Sequence, residues 1–502
     1  MLQKISETFF RFPNRNAFCI NREYYTYYTF AKLVSKVRNF IKANLDDSEK
    51  LIGIIANHEQ DIEIYSSIYG ILYAGRGYVP INPVNPLERN IEILKQTGIK
   101  TILCRKRNEK LNELAYKLKI KLIETLTLPE TSISIEPPQV DENETAYILF
   151  TSGSTGTPKG VPISRKNLNS FIHAFNNLKF DVNENDRFLQ MFDLTFDFSV
   201  VCYTVPLCLG ACIYTVPTEG IKFANVYTTL EENEITFACM VPTIINYLDP
   251  YLEEIKLDNL KYSLFCGEVL LDEIARKWSA CTPNGKIVNA YGPTEATVFC
   301  MTYFWDGKFS NKSFNGGVSI GKPMENIEAI IVDDNLNKIT NGKKGELCLS
   351  GKQLTQGYLN DKKKNEEKFF TLSAKEKKII FYRTGDIAFI DKEGDFMFAG
   401  RMDDQIKIEG FRIELGEIEH HVRDFTKATN VKAVSVKDER GITQIYLFIE
   451  NYNLKTEDVN SYLKTKIPDY MLPSSIINLK TFPLNGNGKI DKNKLISMLK
   501  ND

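Results

Sequence analysis

Histidine and tryptophan are scarce in this 502-residue chain, with four His (His58, His173, His420, His421) and two Trp. So few imidazoles argue against a histidine-built metal cluster. The ten cysteines lie scattered without a Cys-x-x-Cys pair, which argues against a zinc site or a disulfide frame. They read as reduced thiols of a cytoplasmic protein. An excess of charge of one sign is lacking too. Lys+Arg 63 against Asp+Glu 64 gives a net charge of −1, which offers no electrostatic footprint for nucleic acid. The N-terminal MLQKISETFFRFPNRNAF carries charges throughout and has no apolar signal core. One long uncharged run does exist, FSVVCYTVPLCLGACIYTVP from Phe198 to Pro217, and its length would suit a membrane span. Its two prolines, its glycine and its many β-formers fit a buried helix–strand segment better, so no membrane insertion is expected.

What is present describes a globular protein: 43% hydrophobic and 25% charged residues, in a chain too long for one ordinary core. Short β-rich runs alternate with amphipathic stretches. LIGIIA (51–56), TILC (101–104), AYILF (146–150), ACIYTV (211–216), ITFACMV (235–241) and YSLFCG (262–267) are the former; NIEILKQTG (90–98) and DEIARKWSAC (272–281) are examples of the latter. That alternation predicts an α/β fold with parallel sheets covered by helices. From about Ile320 the texture turns to short alternating strands split by Asp-Asn, Asn-Gly and Glu-Gly turns, as in a small barrel or distorted sheet. After Arg401 it returns to mixed α and β, with IELGEIEHHVRDF as an amphipathic helix. The polar GRMDDQIK segment is the expected boundary between a large N-terminal domain, 1–400, and a small mobile α+β C-terminal domain, 401–502.

The run YILFTSGSTGTPKGVPIS (147–164) has almost nothing to bury. It offers close backbone N–H groups, hydroxyls and the ammonium of Lys159, the donors that a phosphate chain needs. A flexible Gly/Ser linker is the alternative. A magnesium-holding P-loop of the GxxxxGK[ST] type is excluded, because Gly160 follows Lys159 where Ser or Thr should stand.

Five further stretches carry more chemistry than a fold requires: NAYGPTEATV (289–298), YRTGD (382–386), GRMDDQIK (400–407), GFRIELGEIE (410–419) and NGNGK (485–489). With the loop before them, this ordered set resembles the adenylate-forming superfamily of acyl-CoA synthetases, luciferases and amino-acid adenylation domains. GYVPINPVNPLERNIEIL (77–94) resembles the segment that amino-acid adenylation domains carry before the phosphate loop, and FCGE (265–268) followed by NAYGPTEATV is most similar to the D-alanine–carrier-protein ligases.

The resemblance implies two α/β subdomains plus a small barrel in the large domain, ATP and Mg2+ as cofactors, and an amino acid and a separate phosphopantetheine-bearing carrier protein as partners of a monomeric enzyme. It implies phosphate contacts from Thr151, Ser152, Gly153, Ser154, Thr155, Gly156 and Lys159, and Glu295 as the Mg2+ ligand, suited to a hard, hydrated cation. It implies adenine contacts from Asn289, Ala290, Tyr291, Gly292 and Thr294. Asp386 would accept from both ribose hydroxyls, with Arg401 beside it. Lys489 would bridge carboxylate and α-phosphate during attack, and Asp403 would be the hinge on which the C-terminal domain turns between half-reactions.

For the acid, Asp193 in FDLTFDFS takes the ammonium-binding role by motif position, because a buried ammonium needs a carboxylate. Leu194, Asp197, Leu264, Cys266, Gly267, Val298 and Phe299 complete the expected pocket. Two departures stand out. Asp197 replaces an apolar residue, so it either meets a polar or cationic substrate side chain or caps a helix, and Arg165 replaces the histidine usual in SHxNL. D-alanine is the leading substrate. Another polar or cationic amino acid, and less favourably an acyl- or aryl-CoA synthetase, are the alternatives, with a non-catalytic nucleotide- or carrier-binding relative furthest behind.

Overall fold

The computed structural model describes residues 1–499 except 57–60, 154–155, 308–311, 341, 375–376, 429, 451–454 and 486–489. Ser154, Thr155 and Lys489 therefore lie outside the described residues.

Two parallel-type sheets form the body. The smaller has six strands in the order Lys121–Glu124, Thr101–Cys104, Leu51–Ile55, Gly77–Ile81, Thr145–Thr151 and Lys159–Ser164. All its pairs are parallel except the last, which is antiparallel and carries the glycine loop at its turn. The larger, nine-stranded sheet runs parallel through its centre, from Lys286–Tyr291 through Tyr262–Phe265, Phe237–Met240, Arg187–Gln190 and Cys212–Thr215 to Asn16–Ile20. Strands buried on both faces read as continuous apolar runs, which is why YSLF and FACM show no alternation.

The uncharged run resolves into the helix Phe198–Leu209, ended by Gly210 in a left-handed conformation, and the strand Cys212–Thr215. Ten of the helix's twelve residues are buried, so the run is apolar all round because it lies between the sheets. Among the described residues no helix is long and apolar enough to cross a membrane. All ten cysteines are free thiols, and among the described residues no His/Cys/Asp/Glu group of three or more is placed to hold a metal ion.

Beyond Ile320 follows a six-stranded antiparallel sheet built on the long strand Lys377–Ile390. The residues after Arg401 gather their own apolar clusters, around Ile413, Ile418 and Leu447 and around Val434 and Leu495. The amphipathic stretch starts later than its sequence suggests: Phe411–Glu414 pairs with Gln405–Ile408 as a hairpin, and the helix is Leu415–Thr426.

Arg165 in the SRKNL segment has a structural job. Its Nη2 donates to the carbonyls of Leu72 and Arg76 at 3.1 and 2.9 Å, closing the end of the helix Ile62–Tyr73. Burial lowers its pKa to about 10.

Candidate active site

Three elements converge where the strands of both sheets end. The glycine loop leaves Thr145–Thr151, the NAYGPTEATV segment leaves Lys286–Tyr291, and the Gln405–Glu414 hairpin lies across both. Beside the last two is a cavity of about 40 Å³, lined among others by Asp197, Phe198, Cys266, Gly267, Val298 and Lys407.

Two carboxylates line this cavity, Asp386 on the nucleotide-motif side and Asp197. Asp197 is 6% exposed and heads the helix Phe198–Leu209 without spending its side chain on a cap. Burial pushes its pKa up to about 6, against the pull of a Thr294 hydrogen bond and the Lys407 ammonium. An anion at a helix N-terminus that lacks a close ion pair is prepared to receive a cation.

Asp193 does not line the cavity. Its Oδ1 accepts from Thr195 N–H at 2.7 Å and Thr195 Oγ1 at 2.5 Å, its Oδ2 accepts from Asn82, and it stands close enough to Tyr470 to be felt there. The turn beginning at Asp193 consumes that carboxylate, whereas the next Phe-Asp pair begins the buried helix. The carboxylate of Asp193 is thus engaged by the turn it begins, whereas that of Asp197 faces the cavity and makes no side-chain cap.

The other expected pocket residues sit together. Leu264, Cys266 and Gly267 end the strand Tyr262–Phe265, Ala290 ends its neighbour, and Leu264, Ala290 and Phe299 are buried. Phe198 lines the cavity and meets Phe299 edge to face at 6.3 Å, and Phe299, which packs on Phe171 at 5.1 Å, is buried behind it. Burial pushes the Cys266 thiol up to about 12, so it is a neutral packing group. Val298 holds φ +69 directly after Thr297 at φ +57. A β-branched residue in the left-handed region is a rare conformation, and here it aims Val298 into the cavity. Leu194, Leu264 and Phe299 are buried and do not line the cavity.

On the nucleotide side, Asp386 accepts from Tyr291 and, at 2.5 Å, from Arg401 Nη1. Arg401 forks onward to Asp403 at 2.6 and 2.7 Å, tying the expected ribose residue to the expected hinge. Asn289 gives its amide N–H groups to the carbonyls of Val318 and Ser319, at 3.3 and 2.8 Å, and so braces the segment. Gly292 has no room for a side chain, since a Cβ would lie 2.4 Å from the Phe299 Cα.

Glu295 is fully buried. Burial alone would raise its pKa, but the Arg412 guanidinium, then the Tyr358 hydroxyl, hold it down at about 2. Arg412 Nη1 lies 2.9 and 3.0 Å from its two oxygens, and Tyr358 donates at 2.6 Å. On the loop, Ser152 Oγ donates to the Arg412 carbonyl, Gly153 N–H donates to Glu417, and Lys159 pairs with Glu414. Gly156 lies under the His420 ring, and the buried Thr151 Oγ1 has no hydrogen-bond partner among the described residues. Arg412, Lys407, Tyr358 and Phe198 are thus site residues to which sequence reasoning gave no role, although Arg412 and Lys407 stand inside the motifs it singled out.

Residues 5–359 match the family of AMP-binding enzymes. The chain belongs to that family. This AMP-binding enzyme is 31% identical over 512 residues to zwittermicin A synthase ZmaJ of Bacillus cereus, covering all of this chain and 95% of that protein. It is 31% identical over 493 residues to tyrocidine synthase 1 of Brevibacillus parabrevis, covering 96% of this chain and 44% of that protein. It thus spans nearly all of the first relative and under half of the second. Among solved structures, the Vibrio cholerae adenylation domain AlmE, in complex with glycyl-adenosine-5'-phosphate, superposes with a TM-score of 0.88 at 26% identity, over the whole of this chain and 97% of that one. The AMP-binding enzyme fold therefore extends past the matched segment into the last hundred residues, and adenylate formation by this family uses ATP.

Proposed function

We propose that this enzyme activates a small amino acid in two half-reactions. The substrate carboxylate attacks the α-phosphorus of ATP, forming an acyl–phosphate bond and releasing pyrophosphate. The thiol of a carrier protein's phosphopantetheine then attacks the acyl carbon, forming the thioester as AMP leaves and the thiol loses its proton. The observation that carries this reading is Asp197, a buried carboxylate facing the cavity beside the nucleotide motifs. A fatty or aryl acid has no use for it; an α-ammonium does.

D-alanine is the leading substrate of this reading, with Phe198, Cys266 and Val298 lining a cavity of about 40 Å³. The likeness to the glycyl-adenylate-bound AlmE supports a small acid as well. With Asp197 assigned to the ammonium, no further carboxylate besides Asp386 lines the cavity, which disfavours a cationic side chain.

The residues present fit Mg2+: Glu295 is an ionised, buried carboxylate whose counter-charge here is a guanidinium from the hairpin. Bound there, the ion would supply charge neutralisation for the phosphates. The chain's own groups then divide as follows. Lys159, Thr151 and the loop N–H groups hold the β- and γ-phosphates, and Asp386 and Arg401 fix the ribose. Asp197 orients the acid, Lys489 bridges the reacting groups, and Asp403 is the hinge.

Amino-acid-dependent ATP–pyrophosphate exchange tests the reading. The panel holds both alanine enantiomers, glycine, serine, ornithine, lysine and a few fatty and aryl acids. D-alanine well above the others is expected, and exchange with fatty or aryl acids alone overturns it.

A further inference from the structure

Asp386 does not stand on a regular strand. Where Gly345–Gly351 pairs with Lys377–Ile390, Glu346 lies opposite Ile387 and Cys348 lies opposite Arg383. Leu347 alone therefore faces Thr384, Gly385 and Asp386, and the longer strand bulges there. A bulge re-aims a side chain at the cost of ladder hydrogen bonds, so its backbone groups need other partners. Thr384 Oγ1 supplies two of them, donating to the Leu347 carbonyl at 2.7 Å and accepting from Asp386 N–H at 3.0 Å. The Gly385 carbonyl accepts from Met402 N–H at 2.9 Å. The remaining donor, Gly385 N–H, goes to Glu346 Oε1 at 3.0 Å.

Glu346 is 6% exposed, and its other oxygen takes Arg383 Nε and Nη2 at 2.8 and 2.7 Å. Thr384 and Asp386 line the cavity, and Glu346 does not. Gly385 holds φ +75 under the Arg401–Asp403 pair, where a Cβ would lie 2.9 Å from Arg401 Nη2. The bulge is thus pressed from one side by that pair and tied from the other by one carboxylate.

We infer that Glu346 is a positioning residue for the nucleotide: by holding Gly385 N–H it fixes the bulge from which Asp386 reaches the ribose. This rests on the ribose role proposed above for Asp386 and adds what sets the aim of that side chain. A charged acceptor makes a stronger tie than a neutral one. Without it a buried N–H is left unpaired and the bulge relaxes to find a partner. A small displacement of a positioning group is costly in binding and rate.

The test is calorimetric titration of the full chain with AMP, 2′-deoxy-AMP and 3′-deoxy-AMP. The unmodified protein should bind AMP about tenfold or more tighter than either deoxynucleotide, each of which lacks one hydroxyl donor to a charged acceptor. Glu346→Ala should weaken AMP by about tenfold and the deoxynucleotides by less than about threefold, so that the preference falls towards one. Glu346→Gln keeps an oxygen for Gly385 N–H and should restore the preference. Arg383→Met removes the ion pair, leaves Glu346 on Gly385, and should keep it too. If Glu346→Ala does not melt cooperatively, Glu346→Met, which fills similar space without a carboxylate oxygen, is read in its place. Full preference for AMP in the folded Ala or Met variant overturns the proposal, as does its equal loss in Arg383→Met or no recovery in Glu346→Gln. Absence of any preference in the unmodified protein strikes the ribose role of Asp386 itself, and the role of Glu346 with it.

Discussion

Replacing Asp197 by Asn should abolish amino-acid recognition while making the ligand-free protein more stable. The carboxylate is 6% exposed and its pKa is raised to about 6, against about 3.9 for an unfolded Asp. The sign follows from that direction. The fold disfavours the charged form, so the penalty is absent below about pH 4, grows between about pH 4 and 6, and is complete above 6. A shift of about two units corresponds to roughly 3 kcal/mol, which the Asn variant should recover in part as a higher Tm at pH 8 and not at pH 4. For the substrate the balance reverses. Leaving a buried ammonium without its carboxylate costs about 3–5 kcal/mol, and an amide oxygen returns about 1. A loss of kcat/KM for the amino acid of about 30- to 1,000-fold follows. Asp193→Asn, whose carboxylate is spent on Thr195 and Asn82, should stay within about threefold by the same reckoning. In the unmodified enzyme, KM for the amino acid should rise about tenfold per unit as pH falls below about 6, because a proton then competes with the ammonium. ATP–pyrophosphate exchange and thermal melts on both variants decide it. If Asp193→Asn is the dead one, or Asp197→Asn melts lower at pH 8, the reasoning is refuted.

Four further outcomes are expected. Gly410→Ala places a Cβ 2.8 Å from Val241 and 3.0 Å from Phe196 at φ +85, so transfer to the carrier thiol should slow by about tenfold or more while exchange persists; single-turnover acylation with preformed adenylate checks this. Glu295→Gln leaves Arg412 facing a neutral group and should lower stability by about 3–5 kcal/mol in denaturant titrations, besides cutting exchange by more than about 100-fold. Chelating Mg2+ should stop exchange, and re-adding it should restore the rate in full. Arg165→Met removes the donors to Leu72 and Arg76 and should cost about 1–3 kcal/mol in a urea melt, with KM values unchanged.

Much of this architecture was legible because strong periodicities and glycine-rich turns are local properties. The six β-rich runs became strands of the two parallel-type sheets, and the uncharged stretch split at Gly210 into helix and strand. Less legible was which of two Phe-Asp carboxylates, four residues apart, faces the cavity. A signal was present: Asp197 alone stands at the head of the uncharged run, where a carboxylate must be buried with the helix it begins, whereas Asp193 is followed by Leu-Thr, which folds back onto it. The boundary of the last amphipathic helix was missed for a different reason. FRIE alternates as well as it spirals, and only its pairing with QIKI chooses the strand. The Arg412–Glu295 contact links residues 117 apart, and no local pattern encodes it. Val298 at φ +69 likewise has no compositional warning, since nothing in the residue favours that conformation.

The hydroxyl contacts between the two parallel-type sheets have a metrological consequence. Tyr78, on the strand Gly77–Ile81 of the smaller sheet, meets Tyr203 at 2.6 Å, and Tyr69 reaches Thr204 at 3.2 Å. Tyr203 and Thr204 sit on the helix that starts immediately after Asp197, and the strand beside Gly77–Ile81 feeds the glycine loop. The gap between Asp197 and the glycine loop is therefore gauged by a bolted joint of aromatic hydroxyls. Side chains at Phe198, Val298 or Phe299 can be exchanged to admit a different acid without resetting that gauge. A single lost hydroxyl at Tyr78 or Tyr203, touching no substrate, would loosen it for every acid at once.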